Sequence, residues 1–388
     1  MGVFARSCFS TLVSSREAGR KVAEEAIGGA DAAPAVLLAY ASVNHDQAGF
    51  LRGVHEVLPT GTAVLGCSAQ GIMSRGVVAE DGYLAGAIAL GGSSLGVVTS
   101  HVEGIHVDSA AKGRDLGRSL CADLSGSPRA VILLYDPLCG ADMDVFLASL
   151  FEEVRCPIIG GGASQPHGPM VRTFQYYDDR AFSGGAVAVA LDGTFGMETA
   201  VCHGTSPVGI EMIVTRADGP MILELDGRPA LEVWQEMTSA GQPDLENTAA
   251  LAVGIPADDD GLYLVRAAFG TDAALGGVLL QASLPTGTPV MLHHRTIEGV
   301  LGGTTAMARD LSARLGGRKV RAVLGFECGA RTASFLGHDR VMRENLELQD
   351  AIGGDPAWLG LLAWGELYPL GGRPQFHNYT YPILAITD

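Results

Sequence analysis

Residues 35–40 read AVLLAY and residues 130–135 read AVILLY, and the sequence after each keeps the same order. In both places a glycine-rich loop comes next, GCSAQG at 66–71 and GGGAS at 160–164. A short apolar run bounded by turn residues is typical of a buried strand. The spacing from each run to its loop leaves room for a helix and a second strand. We therefore predict a strand-helix-strand-loop unit that occurs twice.

Further stretches extend this repeat along the chain. AGAIALGG at 85–92 matches GGAVAVALDG at 184–193, which predicts a closing hairpin in each unit. A weaker copy lies near the C-terminus, where AVLGFECGAR at 322–331 takes the first-strand position and LLAWGELYPLGG at 361–372 takes the second-strand and loop position. The predicted fold class is α/β, with repeated strand-helix-strand-hairpin units and sheets flanked by helices.

The repeat divides the chain into two similar halves. The second unit ends near residues 193–205, so the predicted domains are residues 1–203 and 204–388. No long polar linker marks the boundary, and the halves are therefore expected to pack against each other. A cleft between two packed domains is a common place for a small ligand.

Charge and hydropathy exclude several classes of partner. The formal net charge is −17, which repels nucleic acid phosphates and anionic lipids, and no run of Lys or Arg offsets it. The long uncharged stretch at 82–100 contains GGSS and is predicted to form strand, turn and strand, as in a hairpin, instead of a membrane span. We expect no nucleic acid partner and no membrane insertion.

The cysteines and the first residues indicate a cytoplasmic protein. Arg6 interrupts the apolar run that a signal peptide would need. The cysteines have neither CxxC nor CxxH spacing, which favours free thiols in a reducing compartment. They are Cys8, Cys67, Cys121, Cys139, Cys156, Cys202 and Cys328.

The GCSAQG loop has three possible roles. It is one residue too long for the G-x-S-x-G turn of hydrolases, and the second unit has glycine in place of Cys67. The loop is thus a nucleophile site, a structural turn or the lining of a ligand cavity. For the cavity, the candidate residues are Cys67, Ser68 and Gln70, with Gly161 and Ser164 from the second loop.

Two other polar groups are weak candidates for metal binding. His293 and His294 are adjacent in a predicted strand, where they point to opposite faces and cannot easily share one metal ion. The three aspartates of ADDDG at 257–261 lack the spacing of a calcium loop and indicate a solvated turn. We predict no resident metal.

A more informative set of polar residues lies near the C-terminus, at strand ends and in glycine-rich loops. Arg331 could hold a ligand carboxylate while a glutamate holds an ammonium, as in amino acid recognition. Alternatively, Arg331 braces Glu327 or Glu366 internally. The full set is Glu327, Cys328, Arg331, Glu366, His377, Asn378, Tyr379 and Thr380.

These motifs together resemble the FIST-domain proteins over nearly the whole chain. The matching stretches are GCSAQG, CPIIGGGAS, the segment at 206–234, FECGAR, WGELYPLGG and HNYT. The resemblance implies a sensory domain of signal transduction that is proposed to bind small ligands, amino acids among them. Because the sequence shows no output module, the resemblance implies a stand-alone sensor that acts through an unknown partner protein or by oligomerisation.

Two alternatives accompany this reading. Some members of the family are haem proteins that sense nitric oxide, which would make His203 or another histidine an axial ligand. The other alternative is a thiol-dependent enzyme that uses Cys67 or Cys328. Our expectation is a binding protein that is not an enzyme and has no resident cofactor.

Overall fold

The computed structural model describes residues 2–122, 124, 128–166, 171–238, 251–257 and 263–388. Asp258 to Gly261 of the predicted aspartate turn lie outside these residues. The helices are α1 (Ser15–Ile27), α2 (Gln47–His55), α3 (Ser109–Cys121), α4 (Met143–Val154), α5 (Ala230–Thr238), α6 (Ile297–Leu315), α7 (Ala333–Leu336) and α8 (His338–Ile352).

Three sheets of six strands each share one pattern of pairing. Sheet I has the order β1 (Val3–Ser10), β6 (Ala85–Gly92), β2 (Val36–Ser42), β3 (Ala63–Ala69), β10 (Gln175–Tyr177), β11 (Arg180–Phe182). Sheet II has the order β7 (Leu95–Glu103), β12 (Gly185–Gly193), β8 (Ala130–Tyr135), β9 (Ile158–Gly162), β23 (Glu366–Leu370), β24 (Arg373–His377). Sheet III has the order β13 (Gly196–Ala200), β25 (Ile383–Thr387), β21 (Val320–Cys328), β22 (Ala357–Ala363), β4 (Ile72–Ser74), β5 (Val77–Ala79).

Each of these sheets contains one parallel pair and one hairpin that comes from a distant part of the chain. The parallel pairs are β2–β3, β8–β9 and β21–β22. The hairpin β10–β11 joins sheet I, β23–β24 joins sheet II and β4–β5 joins sheet III. The hairpins therefore tie the three sheets to one another in a ring.

The core explains why the strand sequences are apolar along their whole length. Alternate side chains of a strand point to opposite faces. Leu38, Leu134 and Leu324, one from each sheet, lie in a shared core and are at most 1% exposed. The neighbouring Leu37 and Leu133 point outward and are covered by helices. We call the three sheets and their helices the body.

The remaining strands form a second unit, which we call the barrel. Its order is β14 (Thr205–Asp218), β20 (Pro289–Arg295), β17 (Leu251–Pro256), β18 (Tyr263–Asp272), β19 (Gly277–Leu280), β15 (Met221–Leu225), β16 (Arg228–Pro229). Because β14 also pairs with β15, the sheet closes on itself. The first residue of β14 lies beside the last residue of β20, because Thr205 pairs with Arg295. The two chain connections between the barrel and the body are therefore adjacent.

The α/β class with sheets flanked by helices is confirmed. The predicted strand, turn and strand at 82–100 are present as β6 and β7, but they do not form a hairpin because they belong to sheets I and II. The predicted boundary at 203 and 204 falls between β13 and β14, and sheet III takes strands from both sides of it. The two domains, and the repeat itself, remain predictions.

Candidate functional site

The two glycine-rich loops meet each other at the carboxyl ends of β3 and β9. The Ser68 hydroxyl donates to the carbonyl of Ser164 at 2.9 Å, and the Gln70 backbone N–H donates to the Ser164 hydroxyl at 2.7 Å. The Gln70 side chain donates to the carbonyl of Gly329 at 3.0 Å and accepts from the Trp364 indole at 2.7 Å. These contacts use the polar groups of the loops to join the three sheets.

Cys67 and Gly161 are packed within this junction. Cys67 is fully buried, and burial raises the pKa of its thiol well above the usual value. A Cβ at Gly161 would lie 2.6 Å from the Cβ of Ala363, so the glycine allows sheets II and III to approach closely. Burial also raises the pKa of Cys328. Both thiols are therefore protonated at neutral pH.

Arg331 is fully buried and has internal partners for each of its nitrogens. Its Nε donates to Glu327 at 3.2 Å and its Nη2 to Glu344 at 2.6 Å. Nη2 also contacts the Thr304 hydroxyl at 2.7 Å, and Nη1 donates to the carbonyl of His203 at 3.3 Å. This geometry agrees with the internal brace, the second of the two roles that the sequence left open for Arg331.

Two buried carboxyl groups near Arg331 are shifted towards their neutral forms. Burial, reinforced by the charge of Glu344, raises the pKa of Glu327 to about 8. Burial likewise raises the pKa of Glu366 to about 8. Oε2 of Glu366 accepts hydrogen bonds from the backbone and hydroxyl of Thr380 at 3.1 and 3.0 Å. Within the described residues, its Oε1 has no hydrogen-bond partner.

The HNYT segment connects the body to the barrel. His377 lies opposite Glu366 in the β23–β24 pair, and burial lowers its pKa to about 3. The backbone N–H of Asn378 donates to the carbonyl of Val265 at 2.9 Å. The side-chain oxygen of Asn378 accepts from the backbone N–H of Ala267 at 2.9 Å. The two contacts to β18 fix the barrel against the hairpin.

Tyr379 adopts a conformation that is rare for a residue other than glycine. Its φ is 62°, in the left-handed region. The Arg295 guanidinium lies 3.9 Å from the centroid of its ring, and Arg295 also donates to the carbonyl of Ala330 at 3.0 Å. This stack crosses from β20 of the barrel to the body. Thus Tyr379 contributes to the contact between the two units.

His203 lies in the connection from β13 to β14 and does not fit the role of a haem ligand. Its Nδ1 accepts from the backbone of Thr205 at 3.0 Å, and Arg331 donates to its carbonyl. The His293 ring centroid is 6.3 Å away. Burial and the charge of Arg331 lower the pKa of His203 to about 4. This polar, cationic setting differs from the apolar crevice that a haem needs.

The remaining histidine expectations are consistent with the structure. His293 is fully buried and His294 is exposed, as predicted for adjacent residues of a strand. Nδ1 of His293 lies 2.8 Å from the Thr205 hydroxyl, and burial lowers its pKa to about 4. In the described part of the chain, no group of three or more His, Cys, Asp or Glu side chains is placed to hold a metal ion.

A groove of about 560 Å³ lies between the body and the barrel. The body contributes α4 and the start of β24, and the barrel contributes β18 and the segment 283–288. Apolar walls come from Phe151, Leu264 and Leu284. The volume lies within the usual range of small-molecule pockets.

Arg266 of β18 is the most buried cation in the groove wall, at 1% exposure. Its Nη2 donates to both carboxylate oxygens of Asp144, at 2.9 Å each. Its Nε and Nη1 have no hydrogen-bond partner in the described residues. Burial lowers the pKa of Arg266 and raises the pKa of Asp144. The attraction between the two charges acts on both pKa values in the opposite direction, but its effect is smaller. Two buried nitrogens, which together carry three N–H groups, thus lack an acceptor among the described residues.

Two more arginines line the groove at its exposed edge. Arg155 follows α4 in the left-handed region, with φ 48°, and Arg373 begins β24. Neither guanidinium is in an ion pair with a described residue. Glu152 is also part of the lining.

Sequence reasoning did not identify these groove residues. Arg266 interrupts an apolar strand, YLVRAAF at 263–269, and a charge in such a run is a signal of a buried ion pair. Asp144, Arg155 and Arg373 lack any comparable local signal, because they meet only when α4, β24 and the barrel are assembled.

No helix of the described residues is both long and apolar enough to span a membrane. The cysteines of the chain are all free thiols.

Relatives of the chain occur in several organisms. The Mycobacterium tuberculosis protein Rv0628c is 27% identical over 390 residues, which cover 97% of this chain and 96% of that protein. The Mycobacterium bovis protein Mb0898c is 30% identical over 224 residues, 55% of this chain and 56% of its own length. Both are uncharacterised.

Among solved structures, Thermotoga maritima PurL complexed with ATP matches with a TM-score of 0.23 and 13% identity, covering 99% of this chain and 71% of that one. The family models are decisive: a FIST N domain matches residues 35–228 and a FIST C domain matches residues 230–369. The chain therefore belongs to the FIST family.

Proposed function

We propose that this protein is a sensor that binds a small amino-acid-like zwitterion in the groove between the body and the barrel, and reports the bound state to a signalling partner. FIST domains are associated with signal transduction and small-ligand sensing. The observation that carries the proposal is Arg266, a buried guanidinium in the groove wall whose Nε and Nη1 lack acceptors among the described residues.

The chemistry of the groove suits a zwitterion. The N–H groups of Nε and Nη1 point in different directions, and each nitrogen can donate a charge-assisted hydrogen bond to an acceptor such as a carboxylate oxygen. The side chain of Asp144 is 31% exposed, and its oxygens keep lone pairs for a ligand ammonium group beside the bond to Arg266. Phe151 and Leu264 can cover an apolar side chain.

Binding without catalysis is part of this proposal. The thiols of Cys67 and Cys328 are buried and protonated, so neither has the accessible thiolate that a cysteine nucleophile needs. Labelling with iodoacetamide tests this point. We expect slow labelling of both cysteines in the folded protein, whereas one thiol that reacts much faster than the others would favour the enzyme alternative.

The binding proposal is tested by thermal shift and calorimetry with the common amino acids on wild type and two variants. Arg266→Lys keeps the charge but loses the planar set of guanidinium N–H donors, and Arg266→Met removes both. We expect each variant to weaken binding by at least about 2 kcal/mol, which is about 30-fold. Arg216→Lys, in β14 and outside the groove, is the matched control.

Unfolding midpoints of the variants show whether the fold is intact. Arg266→Lys is the informative variant if Arg266→Met is too unstable, because Asp144 keeps a cationic partner. Wild-type affinity in Arg266→Lys, or no binding of any zwitterion to the wild-type protein, would contradict the proposal.

A further inference from the structure

We infer that the ligand of this groove carries a second negative group, as in an acidic amino acid or a small dicarboxylate. This inference rests on the proposed function and names the ligand class more closely. It is carried by Arg155 and Arg373, which lie at the edge of the same groove and have no ion pair with a described residue.

The charge of the groove runs against that of the whole chain. The protein has 43 acidic and 26 basic residues, so a surface region of average composition is acidic. The groove has three arginines against two acids, and Asp144 is already bonded to Arg266. Arg155 and Arg373 therefore remain, and Glu152 is the other acidic residue of the lining.

The positions of the arginines separate two anion sites. Arg266 is at the buried wall, where it is 1% exposed, while Arg155 and Arg373 are exposed at the edge. A ligand that places one carboxylate on Arg266 extends its other end past the apolar wall towards this edge. The cavity of about 560 Å³ has room for a ligand with such a second group.

The backbone at Arg155 supports the assignment. An arginine at φ 48° is less favourable than glycine would be, and strained residues of this kind cluster at functional sites. An exposed arginine without an ion pair contributes little to folding. A role in ligand binding would account for this residue at this position.

The test compares acid and amide pairs of ligands by calorimetry: glutamate with glutamine, aspartate with asparagine, and succinate as a dicarboxylate. We expect the wild-type protein to prefer the acids by about tenfold or more. Arg155→Gln and Arg373→Gln should each reduce this preference, and the double variant should abolish it while neutral amino acids bind as before. Arg309→Gln, exposed on α6 and outside the groove, is the control.

The outcomes separate this inference from the proposed function. If neutral amino acids bind in an Arg266-dependent way and the acids bind no better, the second anion site is wrong and the proposed function stands. The same conclusion follows if the double variant keeps the acid preference. If neither acids, amides nor succinate bind, the proposed function is wrong as well. Unfolding midpoints equal to wild type confirm that the exposed variants are folded.

Discussion

Two buried arginines of this protein differ in how fully they are satisfied. Arg331 uses its Nε, Nη1 and Nη2 on internal acceptors, whereas Arg266 uses only Nη2. A buried donor without an acceptor costs free energy that a bound ligand can recover. Burial alone therefore does not distinguish the two arginines, whereas the number of nitrogens without an acceptor does.

This contrast predicts the behaviour of Arg331→Ala. The substitution leaves the buried carboxyl groups of Glu327 and Glu344 without their cation. We expect a loss of about 3 to 5 kcal/mol in the free energy of unfolding, the usual effect of breaking a buried ion pair, with unchanged affinity in the groove. Urea unfolding and calorimetry measure the two quantities, and Arg309→Ala is the exposed control. A stable Arg331→Ala variant with weakened binding would return Arg331 to the ligand site.

At the scale of elements, two helices end in the same backbone conformation with different residues. After α4 the residue is Arg155, at φ 48°, and after α6 it is Gly316, at φ 58°. Each donates its N–H to the carbonyl four residues earlier, at 3.0 and 3.2 Å. Glycine is the usual residue in this position because it has no Cβ to strain.

Exchange of these end residues gives a paired prediction. Arg155→Gly should stabilise the protein by about 0.5 to 1 kcal/mol, because it relieves the left-handed strain, yet weaken binding of acidic ligands. Gly316→Ala should destabilise it by about 1 kcal/mol, since an added Cβ has space but not a favourable φ. Thermal unfolding measures both. A destabilised Arg155→Gly variant would show that the arginine has a structural role.

Strands and helices can be predicted from the sequence where the hydrophobic pattern is local. AVLLAY and AVILLY are indeed the buried strands β2 and β8, because apolar runs between turn residues report burial on both faces. The exchange of hairpins was not accessible, since the pairing of β10 with β3, of β23 with β9 and of β4 with β22 depends on the assembled sheets. The groove was missed for the same reason, as its residues come from distant elements.

For the whole molecule, the shared feature is a set of buried titratable groups where the body meets the barrel. Burial raises the pKa of Glu327 and Glu366 to about 8, and lowers that of His203 and His293 to about 4 and of His377 to about 3. Each group therefore favours its neutral form in the folded protein. The acids and the histidines affect stability in opposite directions as pH changes.

These shifts predict a maximum of stability near pH 6.5. Between about pH 4.5 and 6 the unfolded chain binds up to three more protons on the histidines and up to two fewer on the glutamates, so stability rises gently with pH. Above pH 6.5 the unfolded histidines lose their protons as well, and the glutamates dominate the difference. The folded state then holds more protons, and stability falls by about 1.4 kcal/mol per pH unit for each carboxyl.

Urea unfolding from pH 4 to 8.5 measures this dependence. Glu366→Gln removes one of the two carboxyl groups and should flatten the decline above pH 6.5 by about half, because a neutral amide has no proton to lose. Glu347→Gln, at an exposed position of α8, should leave the profile unchanged. Stability that stays constant or rises from pH 6.5 to 8 in the wild-type protein would mean that Glu327 and Glu366 are ionised in the folded state, each held by a partner that offsets its burial.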